Sequence, residues 1–341
     1  MSAEGNRTRK IRGAVIGYGG AFNMGKRHGS EMNRVGFELA AVCDLDPSRA
    51  EQAGQDFPGI KTFTSVEALL AQDDIDLVTV ITPHNTHARL AEQVLRSGKH
   101  CILEKPMCIR ASEAESLVKL ANEKGLMLTV YHNRRWDAWY LTLKDLIAKG
   151  QIGDIFHVEM YHGGFSAPKG WWRDSKEISG GAFYDWGAHY LDYLLGVVPG
   201  KISSIRGVVH NRIWHEKTNE DQLDSILFFE SGAMAHIQST SIARAGKARF
   251  RFLGTKGAVE VDNEGLKERK LKLYTDVDGQ NTCVEVPLLK DGHDAYYENI
   301  AAHLYDGVEL IVKPEEAGRI IAVIETTEKS AHDRKELAFE S

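Results

Sequence analysis

The sequence predicts an α/β fold in which a parallel sheet wrapped by helices precedes an α+β domain. From Ile11 to about Tyr131, short apolar runs alternate with helix-like stretches, which is typical of parallel sheets. After about His132 the pattern changes to alternating strands of the antiparallel type. These observations predict domains over residues 1–132 and 133–341, with no proline-rich or serine-rich linker between them.

Five apolar runs in the first half are too short and too rich in β-forming residues to be helices. They predict strands at 14–16, 39–42, 77–81, 101–103 and 127–130. Helices are predicted over 86–97 and 111–124. They end at Gly98 and Gly125 because glycine at the C′ position favours left-handed backbone.

In the second half, Ser231-Gly232 separates two alternating runs and predicts a β-hairpin turn. Helices are predicted over 182–195 and 314–330. The predicted strands are 155–162, 202–209, 224–230, 233–241, 249–253, 258–261 and 271–274.

Composition excludes several classes of function. A net charge of -6 with interspersed signs gives no basic stripe for nucleic acid. No apolar run approaches the roughly 18 residues that a membrane crossing needs, and the polar first ten residues lack a secretory signal. The four cysteines have no disulfide or C-x-x-C spacing, so we expect reduced thiols in a cytoplasmic protein.

A glycine turn follows the first predicted strand, where missing side chains let the backbone approach a pyrophosphate. The third position of G-x-G-x-x-G holds Phe22, and Gly25 lies three residues further on, which predicts a longer or differently packed loop. An ordinary strand-to-helix turn fits the pattern about equally well. The candidate cofactor contacts are Gly17, Gly19, Gly20, Ala21 and Phe22.

Asp44 ends the second predicted strand, where a carboxylate can accept hydrogen bonds from ribose hydroxyls and repel a 2′-phosphate. This favours NAD, with NADP as the alternative because Arg49 could neutralise a phosphate. The other interpretation is that Asp44 and Asp46 are turn and N-cap residues before Pro47.

The loop after the strand at 77–81 offers three further candidate cofactor contacts, Thr82, Asn85 and His87. Alternatively, Asn85 or Thr86 caps the next helix, and a loop histidine is merely solvated. His84 and His87 could also ligate a metal, but nothing nearby completes a ligand set, so we expect none.

Lys105 ends a buried strand, in the run Glu104-Lys105-Pro106, at the sheet edge where ligands of α/β proteins bind. There a partly desolvated ammonium could stand beside a reacting oxygen. The alternative is a surface lysine at a plain strand stop.

Asp185 and His189 are four residues apart, which places them on one face of the helix predicted over 182–195. A carboxylate beside imidazole suits a general acid or base. A surface ion pair or a metal pair would show the same spacing.

Tryptophans and other aromatic residues accumulate in segments where a sugar could bind, although most of them could equally be core. Arg134, Lys169 and Arg173 add donors for hydroxyls or a carboxylate. The aromatic residues are Trp136, Trp139, Trp171, Trp172, Phe183, Tyr184, Trp186 and Trp214.

Taken together, these segments resemble the glucose-fructose oxidoreductase/inositol dehydrogenase (Gfo/Idh/MocA) family over nearly the whole chain. The matching segments are 15–21 with Asp44, 82–87, 98–106, 133–135 and 180–192. The resemblance implies an N-terminal Rossmann dinucleotide-binding domain. It also implies a C-terminal α+β domain with a large, mostly antiparallel sheet, and a homodimer or homotetramer.

By the same resemblance, Lys105, Asp185 and His189 are the catalytic residues, and Glu104 and Lys105 join the cofactor contacts. Substrate contacts are expected at Lys105, Asn133, Arg134, Trp172, Arg173, Asp185 and His189. The implied activity is NAD(P)-dependent oxidation or reduction of a sugar or polyol. A sugar lyase or glycosidase without net redox change and a non-catalytic dinucleotide-sensing regulator are the alternatives.

Overall fold

A computed structural model describes residues 9–20 and 22–340 of the chain. By their contacts the described residues form two compact units, one of residues 9–20 and 22–132 with 294–318 and one of residues 133–293 with 319–340. The sequence pattern assigns residues 294–318 to the second domain, 133–341, whereas in the structure they belong to the first unit.

The first unit contains a six-stranded parallel sheet in the order β3-β2-β1-β4-β5-β6. Its strands are β1 (Arg12–Ile16), β2 (Glu38–Cys43), β3 (Lys61–Phe63), β4 (Leu77–Val80), β5 (His100–Leu103) and β6 (Leu128–Val130). Its helices are α1 (Met24–Arg34), α2 (Pro47–Asp56), α3 (Val66–Leu70), α4 (His87–Arg96) and α5 (Ala111–Lys124).

The strand order reverses between β1 and β4, which are adjacent and parallel. Strands β2 and β3 lie on one side of this pair, and β5 and β6 lie on the other. The carboxyl ends of strands at such a switch point bound the crevice where α/β proteins bind ligands. The central strands β1, β2, β4 and β5 are almost entirely buried, as their continuous apolar runs require. Gly98 and Gly125 adopt positive φ at the ends of α4 and α5, as predicted.

The second unit is built on a nine-stranded sheet in the order β14-β13-β12-β11-β7-β10-β9-β8-β15, in which only β7 and β10 pair in parallel. Its strands are β7 (Ile155–Gly163), β8 (Ile202–His210), β9 (Gln222–Phe229), β10 (Met234–Thr240), β11 (Phe250–Gly254), β12 (Gly257–Val261), β13 (Lys270–Val277), β14 (Gln280–Pro287) and β15 (Leu337–Ala338). Its helices are α6 (Ala138–Ala148), α7 (Lys176–Ser179), α8 (Phe183–Leu195) and α9 (Asn263–Glu268).

Two C-terminal helices complete the fold, α10 (Ala295–Asp306) and α11 (Pro314–Asp333). Helix α10 belongs to the first unit and buries Tyr296 and Tyr297 there, with Tyr296 edge-on to Tyr131 at 4.8 Å between ring centroids. In the second unit, Gly207 of β8 lets the backbone of α11 pack directly on the strand, because a β-carbon there would overlap the carbonyl oxygen of Thr327.

Candidate functional site

Gly17 directly follows β1 and has φ 95°, a left-handed conformation that only glycine adopts at little cost. A β-carbon there would overlap the carbonyl oxygen of Ile81, beyond the end of β4. The amide of Gly17 donates to the carbonyl of Cys43, 2.8 Å away. Gly19 and Gly20 also have positive φ, and at these two positions the turn presents backbone without a side chain.

Gly25, on the first turn of α1, packs the helix against the glycine turn. A β-carbon there would lie 2.7 Å from Cδ2 of Tyr18 and 3.1 Å from the carbonyl oxygen of Gly17. This is the close approach that the third glycine of a dinucleotide fingerprint permits. Phe22, which occupies the motif's third position, is 63% exposed. Ala21 lies outside the described residues.

Asp44 is buried beyond the end of β2, and both its carboxylate oxygens accept backbone hydrogen bonds. Oδ2 accepts from the amide of Tyr18 at 2.6 Å, and Oδ1 from the amide of Asp46 at 2.9 Å. The carboxylate therefore holds the glycine turn in place. Asp46 caps α2 by accepting from the amide of Ser48 at 2.9 Å, and the Arg49 guanidinium lies 3.5 Å from Asp46.

The loop between β4 and α4 is ordered by its own side chains. The hydroxyls of Thr82 and Thr86 are 2.6 Å apart, and Thr86 donates to the carbonyl of Pro83 at 2.7 Å. Thr86 occupies the N-cap position without a side-chain capping bond, so the capping alternative is wrong for this residue. Asn85 is exposed, whereas His87 is fully buried and is not a solvated loop residue.

Both ring nitrogens of His87 face backbone carbonyls, that of Pro106 at 2.7 Å from Nδ1 and that of Thr82 at 2.8 Å from Nε2. Burial holds the pKa of His87 below its usual value. Both ring nitrogens of His87 are thus already within hydrogen-bond distance of backbone carbonyls. We find no group of three or more metal-ligating side chains in the described part of the chain.

Glu104, Lys105 and Pro106 follow β5, whose carboxyl end lies beside that of β4. The Lys105–Pro106 peptide bond is cis. Glu104 accepts the amide hydrogen bond of Lys105 through Oε2 at 3.0 Å, and its Oε1 lies 3.3 Å from Nε2 of His28. Burial raises the pKa of Glu104, but the hydrogen bond and charge of His28 and the charge of Lys105 outweigh it, so the pKa is lowered overall.

In the second unit, α8 carries Asp185 on its first turn and the buried His189 one turn later. Nε of Arg173 lies 3.6 Å from Oδ2 of Asp185. The guanidinium of Arg173 also stacks on Trp172, 4.4 Å from its ring centroid. Trp172 thus packs against the side chain that lies beside Asp185.

Trp186 is surrounded by cationic and aromatic side chains. The guanidinium carbons of Arg134 and Arg249 lie 4.8 and 4.9 Å from the centre of its ring, and the His162 ring stacks at 5.0 Å. Nε of Arg249 donates to the hydroxyl of Tyr190 at 2.9 Å. The sequence pattern does not predict Arg249 as a site residue. It directly precedes β11, and no local motif marks it.

A cavity of about 420 Å³ opens beside helix α8 within the second unit. A buried ion pair, Lys217 with Asp221 at 3.5 Å, lies in its wall and was not predicted. Asp221 also accepts three backbone hydrogen bonds through Oδ2, which together with Lys217 outweigh burial and lower its pKa. The charged and aromatic side chains in the wall include His162, Lys169, Trp171, Arg173, Asp185 and Trp186.

The predicted aromatic residues divide between cavity wall and core. Trp171 and Trp186 line the cavity. Trp139 stacks on Phe250 at 4.0 Å inside the second unit, and Phe183 and Tyr184 are buried. Asn133 begins a short 3₁₀ turn (Asn133–Trp136) and is partly buried.

Comparison with known proteins agrees with this geometry. Residues 11–132 match a family model described as "Oxidoreductase family, NAD-binding Rossmann fold", and residues 140–260 match the GFO/IDH/MocA C-terminal domain. None of the helices in the described residues combines the length and apolarity of a membrane-crossing segment.

Three similar proteins illustrate the range of relatives. The chain is 28% identical to a scyllo-inositol 2-dehydrogenase (NADP(+)) of Bacillus subtilis, covering 97% of this chain and 96% of the relative. It is 32% identical to an inositol 2-dehydrogenase of Rhizobium meliloti, over 72% and 74% respectively. The structure of the WlbA dehydrogenase from Bordetella pertussis, in complex with NADH and UDP-GlcNAcA, superimposes with a TM-score of 0.81 at 26% identity, covering 98% of this chain and all of that one.

Proposed function

Since this chain belongs to the GFO/IDH/MocA family of oxidoreductases and carries its NAD-binding Rossmann unit, we propose that it is a dehydrogenase or reductase of a sugar, polyol or derivative. Hydride moves between the nicotinamide and a carbon bearing a secondary hydroxyl or ketone. The observation that carries the proposal is the combination of the positive-φ glycines Gly17 and Gly19 in this turn with the Asp44 carboxylate that holds it.

These residues fit a dinucleotide. The glycine turn leaves its backbone open where a pyrophosphate would bind, and the Asp44 carboxylate is suited to ribose hydroxyls. The bound nicotinamide ring supplies or accepts the hydride. We infer NAD rather than NADP as the preferred cofactor because the charge of Asp44 disfavours a 2′-phosphate.

In our proposal, His189 removes the proton of the substrate hydroxyl and Lys105 stabilises the negative charge that develops on that oxygen. Asp185 holds the imidazole in the orientation for this transfer, while Arg173 is placed 3.6 Å from Asp185 and limits its freedom. Reduction of a ketone reverses the roles, so that His189 delivers the proton. The side chains of the cavity wall bind hydroxyls or a carboxylate of the substrate.

The test is to assay sugars, inositols and sugar acids as substrates with NAD and with NADP. Formation of NADH or NADPH is measured by absorbance at 340 nm. Loss of a proton-transfer group typically costs about 10²–10⁴ in rate, so His189→Ala and Lys105→Ala should each lower kcat by this order, and NADH affinity should stay near wild type in His189→Ala. His332→Ala, at an exposed position on α11, is the matched control. Unchanged turnover in either site variant would refute the assignment of that residue, and substrate conversion without NADH accumulation would favour the lyase alternative.

A further inference from the structure

His87 joins the two loops that leave neighbouring strands of the parallel sheet. Its ring lies 2.8 Å from the carbonyl of Thr82, which follows β4, and 2.7 Å from the carbonyl of Pro106, which follows β5. Pro106 is the residue directly after Lys105. The imidazole thus connects the backbone beside Lys105 to the end of the adjacent strand.

Packing alone does not account for an imidazole at this position. A polar ring without exposure to water costs free energy unless it is hydrogen-bonded, and an apolar side chain would fill the same space. A neutral imidazole has only one N–H, so one of the two carbonyls accepts a hydrogen bond and the other faces an unprotonated nitrogen. The location of that proton decides which loop is held.

The chain directly before Lys105 is held by a separate set of contacts. Glu104 accepts the amide hydrogen bond of Lys105 and lies 3.3 Å from His28, whose Nδ1 is 2.7 Å from the Tyr297 hydroxyl. These contacts anchor the chain before Lys105 to α1 and α10. The contact of His87 with the carbonyl of Pro106 joins the chain after Lys105 to α4.

We propose that His87 is a positioning residue that donates its Nδ1–H to the carbonyl of Pro106 and thereby sets where the Lys105 ammonium lies. This inference rests on the proposed role of Lys105 in stabilising the substrate oxygen. A displacement of about 1 Å in a reacting group can cost about 10²-fold in rate. His87 therefore affects catalysis through Lys105 rather than by contact with cofactor or substrate.

Three substitutions separate the two hydrogen bonds. The amide nitrogen of asparagine is attached at the same carbon as Nδ1, so His87→Asn keeps a donor toward Pro106. The amide nitrogen of glutamine reaches the position of Nε2, so His87→Gln keeps a donor toward Thr82. His87→Leu keeps the volume without either donor.

We expect kcat to fall about 10- to 100-fold in His87→Gln and His87→Leu and by less than about fivefold in His87→Asn, the upper value being that of a displaced group. The dissociation constant of NADH, measured by fluorescence, should change little in all three. The deuterium isotope effect on kcat should rise in the slow variants, because hydride transfer becomes the slow step. A role limited to stability would lower the thermal midpoint without this pattern.

A double-mutant comparison completes the test. In a Lys105→Ala background, His87→Gln should cause little further loss, since the group it positions is gone, whereas independent roles would give additive losses. Turnover retained by Lys105→Ala would refute the proposed role of Lys105, on which this inference rests. A slow Lys105→Ala together with a His87→Gln variant as active as wild type would refute only the role of His87. An Asn variant as slow as the Leu variant, or loss of folded protein in all three, would also overturn it.

Discussion

The carboxylate of Asp44 supports the glycine turn and leaves capacity for a ligand. Each of its oxygens accepts one backbone hydrogen bond, from Tyr18 and from Asp46. A carboxylate has about four acceptor positions, so positions remain for the two ribose hydroxyls of NAD. A 2′-phosphate would instead meet a negative charge that those backbone bonds hold in place.

Replacing Asp44 should therefore shift cofactor preference. In Asp44→Ser we expect the ratio of kcat/KM for NADP to that for NAD to rise at least about tenfold, roughly 1.4 kcal/mol in differential binding, because the repulsion is removed. Steady-state kinetics with both cofactors measure this ratio. Asp56→Ser is the control, since Asp56 accepts from the Tyr18 hydroxyl at 2.6 Å and so perturbs the same turn without facing the ribose. An unchanged ratio in Asp44→Ser would exclude this role.

Helix α6 is joined to α8 by the carboxylate of Asp137, which precedes α6. Its Oδ1 lies 2.7 Å from Nε2 of His293, and its Oδ2 accepts from the Tyr193 hydroxyl on α8 at 2.6 Å. Arg134 adds an ion pair at 3.2 Å. Burial raises the pKa of Asp137, but these hydrogen bonds and the charges of Arg134 and His293 together lower it below its usual value.

This lowered pKa makes the stability of the second unit depend on pH in a definite direction. The pKa of Asp137 is lower in the folded than in the unfolded chain, so its stabilisation is complete above about pH 4 and is lost as the pH falls through the folded pKa. Asp137→Asn should cost about 1–3 kcal/mol at pH 7 and less at pH 3, measured by urea unfolding. Asp145→Asn, on the same helix and paired only with Lys149 at the surface, should cost little at either pH. An equal cost of Asp137→Asn at both pH values would contradict this account.

The first compact unit is discontinuous in sequence, because α10 returns to it after residues 133–293 of the second unit. His28 Nδ1 lies 2.7 Å from the Tyr297 hydroxyl, and Thr129 donates to the carbonyl of Val312 at 2.8 Å. Residues 294–318 thus cover buried polar and aromatic groups of the N-terminal segment. Without them those groups would be exposed to water.

A fragment of residues 1–132 should consequently fail to form a stable dinucleotide-binding unit. We expect weak near-ultraviolet circular dichroism, binding of a hydrophobic dye and no measurable affinity for NADH. Joining residues 294–318 to this fragment through a flexible glycine-serine segment should restore all three properties. A fragment 1–132 that binds NADH as the full chain does would show that α10 is dispensable.

Local sequence determined much of this protein. The apolar runs at β1, β2, β4 and β5, the glycines after α4 and α5 and the Ser231-Gly232 turn between β9 and β10 are all where the sequence predicts them. These features depend on neighbouring residues only, through strand burial, positive φ and turn geometry. The carboxyl-end placement of Gly17 and Lys105 follows from the same local patterns.

Other features were decided only by the tertiary structure. The edge strand β3 has no buried residue, so no apolar run predicts it, and it forms because β2, earlier in the chain, supplies its hydrogen bonds. The other edge strand, β14, likewise has no buried residue and pairs with β13 across the turn at Asp278-Gly279. The return of α10 to the first unit depends in the same way on packing against distant residues. His87 reads as a loop residue in the sequence, yet its ring is enclosed by carbonyls 5 and 19 residues away. Burial and strand pairing depend on which distant segments come into contact. The local periodicity of the sequence does not contain that information.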